Sequence, residues 1–132
     1  REEAPLQPRV AHRARGRVEV FSEFRQGLAD LNTFSHVFLL YHCHLAESLA
    51  MKVKPSHEES FHGVFATRAA DRPNPIGISV VSLDSIEGTV LHVSNIDTVD
   101  GTPLLDIKPF VPSLDRQFGA TIGWLAEKFR DL

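Results

Sequence analysis

Apolar residues along this chain fall in short runs, each closed by proline, glycine or an acid, and no stretch keeps a helical period for long. Val18 and Val20 alternate with Arg17 and Glu19 before Phe21, the signature of a half-buried strand. Ser22 then precedes Phe24, Leu28 and Leu31 at near-helical spacing, which predicts one or two helical turns ending near Asn32. His36 to His44 is almost wholly apolar at its centre and rich in aromatic and branched residues, as expected of a strand buried on both sides. A helical turn is expected around Ala46 to Ala50. Gly63 to Ala66 and Ile76 to Leu83 read as strands bracketing a polar loop, Thr67 to Pro75. Asp84, Glu87 and Gly88 are expected to turn the chain into a hairpin strand, Thr89 to Val93. A further strand, Leu104 to Ile107, follows the turn signal Asp100-Gly101, and Ile122 to Phe129 fits a strand end or a short helix. Short strands with closely spaced turn signals predict a mainly β fold, a barrel or sandwich with one or two short helices.

Length and composition narrow this picture. The 132 residues make one ordinary domain, and 42% hydrophobic with 23% charged residues is globular usage. No apolar run approaches the roughly 18 residues of a membrane helix. The acidic, proline-bearing Arg1 to Pro8 does not resemble a secretory signal. The single cysteine, Cys43, excludes an internal disulfide framework and suits a reducing compartment, so a cytoplasmic location is expected. A net charge of −3 rules out a polycation, and nucleic-acid binding would therefore need a local basic face. Arg9, Arg13, Arg15 and Arg17, joined by Arg68, Arg72 and Lys108, can supply one; the same residues can equally form a solvated surface.

Two segments carry candidate chemistry. In Thr67-Arg68-Ala69-Ala70-Asp71-Arg72-Pro73-Asn74-Pro75-Ile76-Gly77 the prolines hold Arg72 and Asn74 in extended geometry, which aims their side chains in advance. The arginines offer planar donor forks for phosphate or carboxylate, and Asn74 both donates and accepts; a rigid loop with internally paired arginines is the competing reading. In Asp97 to Pro109, Asp106 and Lys108 share a strand face by period two, where a cation can lower an acid's pKa or merely form a solvated pair. His36, His42 and His44 share a parity, but no carboxylate or cysteine recurs at a ligand spacing, so no metal is expected. Cys43 has the opposite parity and reads as a small core residue rather than a nucleophile.

The strings Gly63-Val64-Phe65-Ala66-Thr67-Arg68, Arg72-Pro73-Asn74-Pro75-Ile76-Gly77, Asp100-Gly101-Thr102-Pro103 and Asp106-Ile107-Lys108-Pro109, with Phe34-Ser35-His36, resemble the TsaA-like family. Its members are tRNA methyltransferases with a β-barrel fold, unlike the Rossmann type. The resemblance implies one domain over residues 1–132, with nothing before Ala4 matching the strand that usually opens the barrel. It also implies S-adenosylmethionine as cofactor, bound near the interface of a homodimer. The substrate implied is the exocyclic nitrogen of threonylcarbamoyladenosine beside the tRNA anticodon. Carried over by motif, the cofactor contacts would be Pro5, Leu6 and Gln7, His44 and Leu45, Arg68, Ile78, Ile96, Asp97 and Asp100. Leu6 stands where better-known members have arginine. Asp106, Lys108, Arg72 and Asn74 would form the reacting wall, with Asp106 as proton acceptor. A methyltransferase acting on another RNA or a small molecule, or a non-catalytic binding module, fits the same motifs.

Overall fold

The computed structural model describes residues 14–55 and 58–129. Seven strands are present: β1 (Arg15–Glu19), β2 (His36–His42), β3 (Lys52–Val53), β4 (His62–Gly63), β5 (Ile76–Glu87), β6 (Val90–Ser94) and β7 (Leu104–Pro109). Two four-residue helices follow, α1 (Pro112–Asp115) and α2 (Ala126–Phe129). Five strands form one antiparallel sheet in the order β1-β6-β5-β2-β7, and β3 pairs with β4 in a separate ribbon. The mainly β class expected from the sequence therefore holds. Over the described residues the sheet is open, with β1 and β7 as edges that do not pair with each other.

The twelve-residue β5 organises the sheet, because its first half pairs with β2 and its second half with β6. Its register shifts between Leu83 and Ser85, a bulge that bends the strand. Alternation then sorts the side chains. Val18, Val37, Leu39, Val81, Leu91 and Val93 make the buried face, backed by Leu28, Leu31, Tyr41, Leu83, Ile96 and Ile107. The opposite face of β2 and β5 carries His36, Phe38, Leu40 and His42 against Ser82, Val80, Ile78 and Ile76.

Several local expectations change. The strand expected from His36 to His44 ends at His42 and is buried on one face only, since β7 and β5 flank it while nothing among the described residues covers Phe38 and Leu40 fully. Gly63 to Ala66 is not a strand: after β4 the chain turns through a 3-10 segment, Val64–Ala66, closed by the Thr67 hydroxyl donating to the Val64 carbonyl at 2.8 Å. No helical turn forms at Ala46 to Ala50; the Ala46 amide instead closes a turn on Cys43, and the Ala50 amide is drawn to the Asp71 carbonyl. The hairpin turn sits at Gly88, in the left-handed region at φ +62°, because β5 continues through Asp84 to Glu87. Ser22–Leu28 and Leu31–Thr33 are 3-10 turns, and Ile122 to Phe129 takes the helical alternative.

Candidate functional site

The two motif segments meet at the end of β2. The Cys43 amide donates to the Pro75 carbonyl at 2.7 Å, and the His42 amide to the Pro103 carbonyl at 2.9 Å. These bonds place the Pro73-Asn74-Pro75 loop on one side of the strand end and the Asp100–Pro103 turn on the other. Asn95, in the left-handed region at φ 65°, turns the chain after β6; the Ile96 amide then donates to the Ala14 carbonyl next to β1 at 3.3 Å, while Asp97 reaches Ser79 of β5. Gly16 leaves room for Ile96, whose Cγ2 would lie only 3.1 Å from a Cβ at that position. His44, Leu45, Asn74, Asp97 and Asp100 thus belong to the segments that converge here.

A polar chain crosses this end of the sheet. The Tyr41 hydroxyl lies 3.0 Å from Ser79 Oγ, which donates onward to Asp97 Oδ1 at 3.5 Å. With Ser79 donating to the carboxylate, the Tyr41 O–H is the donor to Ser79. Tyr41 reaches Ser79 by laying its ring across β5 at Gly77, where a Cβ would clash with the ring. The glycine of the Asn-Pro-Ile-Gly motif is therefore the space the tyrosine occupies. Burial pushes the Tyr41 hydroxyl above its ordinary value, the Ser79 bond lowers it, and the charges on Asp97 and Cys43 raise it further. Cys43 is likewise raised by burial, opposed by the positive Arg72. A raised thiol pKa keeps the group neutral near pH 7, which disfavours a nucleophile, and Cys43 is half-buried and lies outside the core cluster in which it was expected.

The loop that the prolines stiffen is also stitched internally. Arg72 Nη1 donates to the Thr67 carbonyl at 2.9 Å and the Ala69 carbonyl at 3.0 Å, and the guanidinium lies 6.0 Å from the Phe65 ring centroid. The Ala69 amide donates to Thr67 Oγ1. Arg72 thus holds the loop that presents Arg68 and Asn74, both exposed.

Asp106 and Lys108 share one face of β7, opposite Leu40 and Phe38, as period two requires. They do not form an ion pair among the described residues; Asp106 Oδ1 instead accepts the Ile107 amide at 2.8 Å. That face is the one holding Ile78, whereas Ile96 packs on the core side. The candidates therefore divide between the two faces of the sheet. Pro5, Leu6, Gln7, Arg9 and Arg13 lie outside the described residues. No group of three or more His, Cys, Asp or Glu among the described residues can hold a metal ion, and His36 instead bonds Ser35 and Ser82. Tyr41 and Ser79 are the residues that sequence reasoning missed. Their signal was an odd-numbered tyrosine on an apolar strand facing a Gly-x-Ser in its antiparallel neighbour, legible only once the register is known.

The profile of the tRNA-methyltransferase O N-terminal domain matches residues 1–116. A Pyrococcus abyssi protein named "Probable S-adenosyl-L-methionine-binding protein" is 49% identical over 98% of this chain and 71% of its own length. The Homo sapiens "tRNA (adenine(37)-N6)-methyltransferase" is 36% identical over 84% of this chain and 27% of its own. Among solved structures, a TrmO from Pseudomonas aeruginosa superposes with a TM-score of 0.76 at 42% identity, covering 93% of this chain and 55% of that one. A further TrmO crystal structure gives 0.74 at 46% identity, over 89% and 53%. The chain thus spans about half the length of the solved structures it matches.

Proposed function

The chain belongs to the tRNA-methyltransferase O N-terminal domain family, and on that footing we propose that it binds S-adenosylmethionine and methylates the exocyclic nitrogen of an adenosine in tRNA. The observation that carries this reading is the meeting of both family motifs at the end of β2, through the Cys43–Pro75 and His42–Pro103 bonds. Sequence similarity alone would not require two distant loops to share one strand end.

The donor set fits the cofactor. S-adenosylmethionine presents a carboxylate, an ammonium, two ribose hydroxyls and a flat purine. The exposed Arg68 supplies a planar donor fork for the carboxylate. Asp97, half-buried and held by Ser79, accepts hydroxyl or ammonium donors, and Leu45 and Ile78 offer exposed apolar surface to a purine. When bound, the cofactor supplies an electrophilic methyl group on a positively charged sulfur. The protein's task is then alignment and proton removal. Transfer of that methyl group to nitrogen would release one proton, which a carboxylate of this chain would accept. Asp106 takes that role in this reading, with Lys108 beside it on the same face of β7. Arg72 is a positioning residue, holding the loop through the Thr67 and Ala69 carbonyls.

The adenosine in question is threonylcarbamoyladenosine, whose carbamoyl group acidifies the nitrogen and whose carboxylate suits an arginine-bearing loop. The working form is a homodimer located with tRNA in the cytoplasm. The face of Phe38, Leu40, Ile76, Ile78 and Val80 supports this, since Ile76, Ile78 and Val80 are 49%, 52% and 41% exposed in the single chain. A second copy over that face would bring its own residues to Ile78, Asp106 and Lys108.

Calorimetric titration with S-adenosylmethionine and its demethylated product tests the cofactor assignment. Saturable binding that Arg68→Ala abolishes is expected. An absence of binding at millimolar cofactor would overturn it.

A further inference from the structure

The β3–β4 ribbon and the segment after it leave two phenylalanines in solvent, Phe61 at 63% and Phe65 at 72% exposure. Each lies beneath a cation: Lys54 Nζ is 5.8 Å from the centre of the Phe61 ring, and the Arg72 guanidinium carbon is 6.0 Å from that of Phe65. The two sites belong to one surface. Lys52 pairs with Gly63 across the ribbon, the Val64 amide donates to the Met51 carbonyl at 2.8 Å, and the Ala50 amide reaches the Asp71 carbonyl at 3.2 Å. The ribbon is anchored by the C-terminal segment, where Trp124 stacks on His62 at 4.0 Å between centroids and donates to the Ala66 carbonyl at 2.8 Å.

We propose that this surface docks the single-stranded loop of the RNA substrate, with bases stacking on Phe61 and Phe65 and phosphates meeting Lys52 and Lys54. The inference rests on the tRNA-methyltransferase reading and adds where the RNA lies. Bases splayed from a loop present a flat face to any aromatic ring, and each ring here already has a cation at stacking distance that can serve the adjoining phosphate. Charge supports the same occupant. The whole chain is net negative, so a polyanion needs a local basic set, and Glu58 is already engaged by His62 at 3.9 Å and Lys128 at 4.0 Å. A second copy of the chain fits less well, because protein interfaces are depleted of lysine at their centres and the apolar face of β2 and β5 serves that partner better.

The test is fluorescence anisotropy of the full chain with a labelled tRNA anticodon stem-loop, with cofactor titration as a parallel readout. Phe61→Ala and Phe65→Ala each weaken RNA binding by about 5- to 100-fold, the effect of removing one base–aromatic stack. Phe61→Trp retains affinity, and Phe24→Ala, at another exposed phenylalanine, changes nothing. Lys54→Gln lowers the slope of log affinity against log salt by roughly 0.7. Cofactor affinity stays at the parent value throughout, which separates lost docking from lost folding. Parent-like RNA binding by both alanine variants would overturn the inference and leave the function standing. A parent protein that binds cofactor but no RNA would overturn both. RNA affinity lost together with a change in sedimentation would assign the surface to self-association and overturn the inference.

Discussion

Gly77 and Tyr41 show how much one residue pair settles. A glycine inside a strand costs chain entropy, and at Gly77, the second residue of β5, the space it leaves is filled by the tyrosine ring. Gly77→Ala is expected to expel the ring, break the Tyr41–Ser79 bond and destabilise the fold by about 1–3 kcal/mol in urea unfolding. In Tyr41→Leu, with no ring to displace, the same substitution costs measurably less, so the double-mutant cycle is non-additive. Tyr41→Phe keeps the ring and removes only the donor to Ser79; cofactor affinity falls by a few-fold in calorimetry if Asp97 is held for the ligand. The raised hydroxyl of Tyr41 has a pH consequence of definite sign. Its stabilisation is complete below the ordinary tyrosine value of 10.0 and is lost as pH rises through the higher folded value, an alkaline slope that Tyr41→Phe removes. Cys43, raised by burial, will react with iodoacetamide with a midpoint above that of a free thiol. Asp97, Asp106 and Arg68 stood out in the sequence because their types announce chemistry. Tyr41 did not, because its partner lies 38 residues away and only strand register brings the two together.

At the scale of elements, alternation made β1, β5, β6 and β7 legible, since a period of two survives any neighbour. β2 was legible as a strand but not in its surroundings: an unbroken apolar run looks the same whether the second face meets a helix, a partner or water. The 3-10 turn at Val64–Ala66 was hidden for a different reason. Gly-Val-Phe-Ala has strand propensity, and what bends it is the Thr67 hydroxyl reaching back to Val64, a side-chain bond that propensity ignores. The proline loop was expected to be held by its prolines, and Arg72 adds two bonds across it, to the Thr67 and Ala69 carbonyls. Arg72→Gln is expected to speed hydrogen exchange at the Ala69 amide and to cost about 1–3 kcal/mol through the orphaned Thr67 and Ala69 carbonyls.

For the whole molecule, the core is small, and Leu91, fully buried between β5 and β1, is one of its largest members. Leu91→Ala is expected to cost about 2–5 kcal/mol, whereas Phe118→Ala, at 92% exposure, changes stability little. A modest core stands beside an apolar outer face, where Ile76, Ile78 and Val80 are exposed in the single chain, and the proposed homodimer would cover it. Val80→Lys places a charge in that face and is expected to shift sedimentation from dimer to monomer with the single-chain fold intact; an unchanged dimer would move the interface elsewhere. The homodimer was an expectation of the family resemblance alone, because no pattern along one chain distinguishes a strand face that is wetted from one that is covered by a second molecule.

Mass analysis of nucleosides from tRNA incubated with the protein and S-adenosylmethionine tests the central claim most directly. tRNA carrying threonylcarbamoyladenosine should yield that nucleoside one methyl group heavier, with loss of the product in Arg68→Ala and none from tRNA lacking the modification. Cofactor and tRNA both bound, with no methyl group transferred to any adenosine, would contradict it.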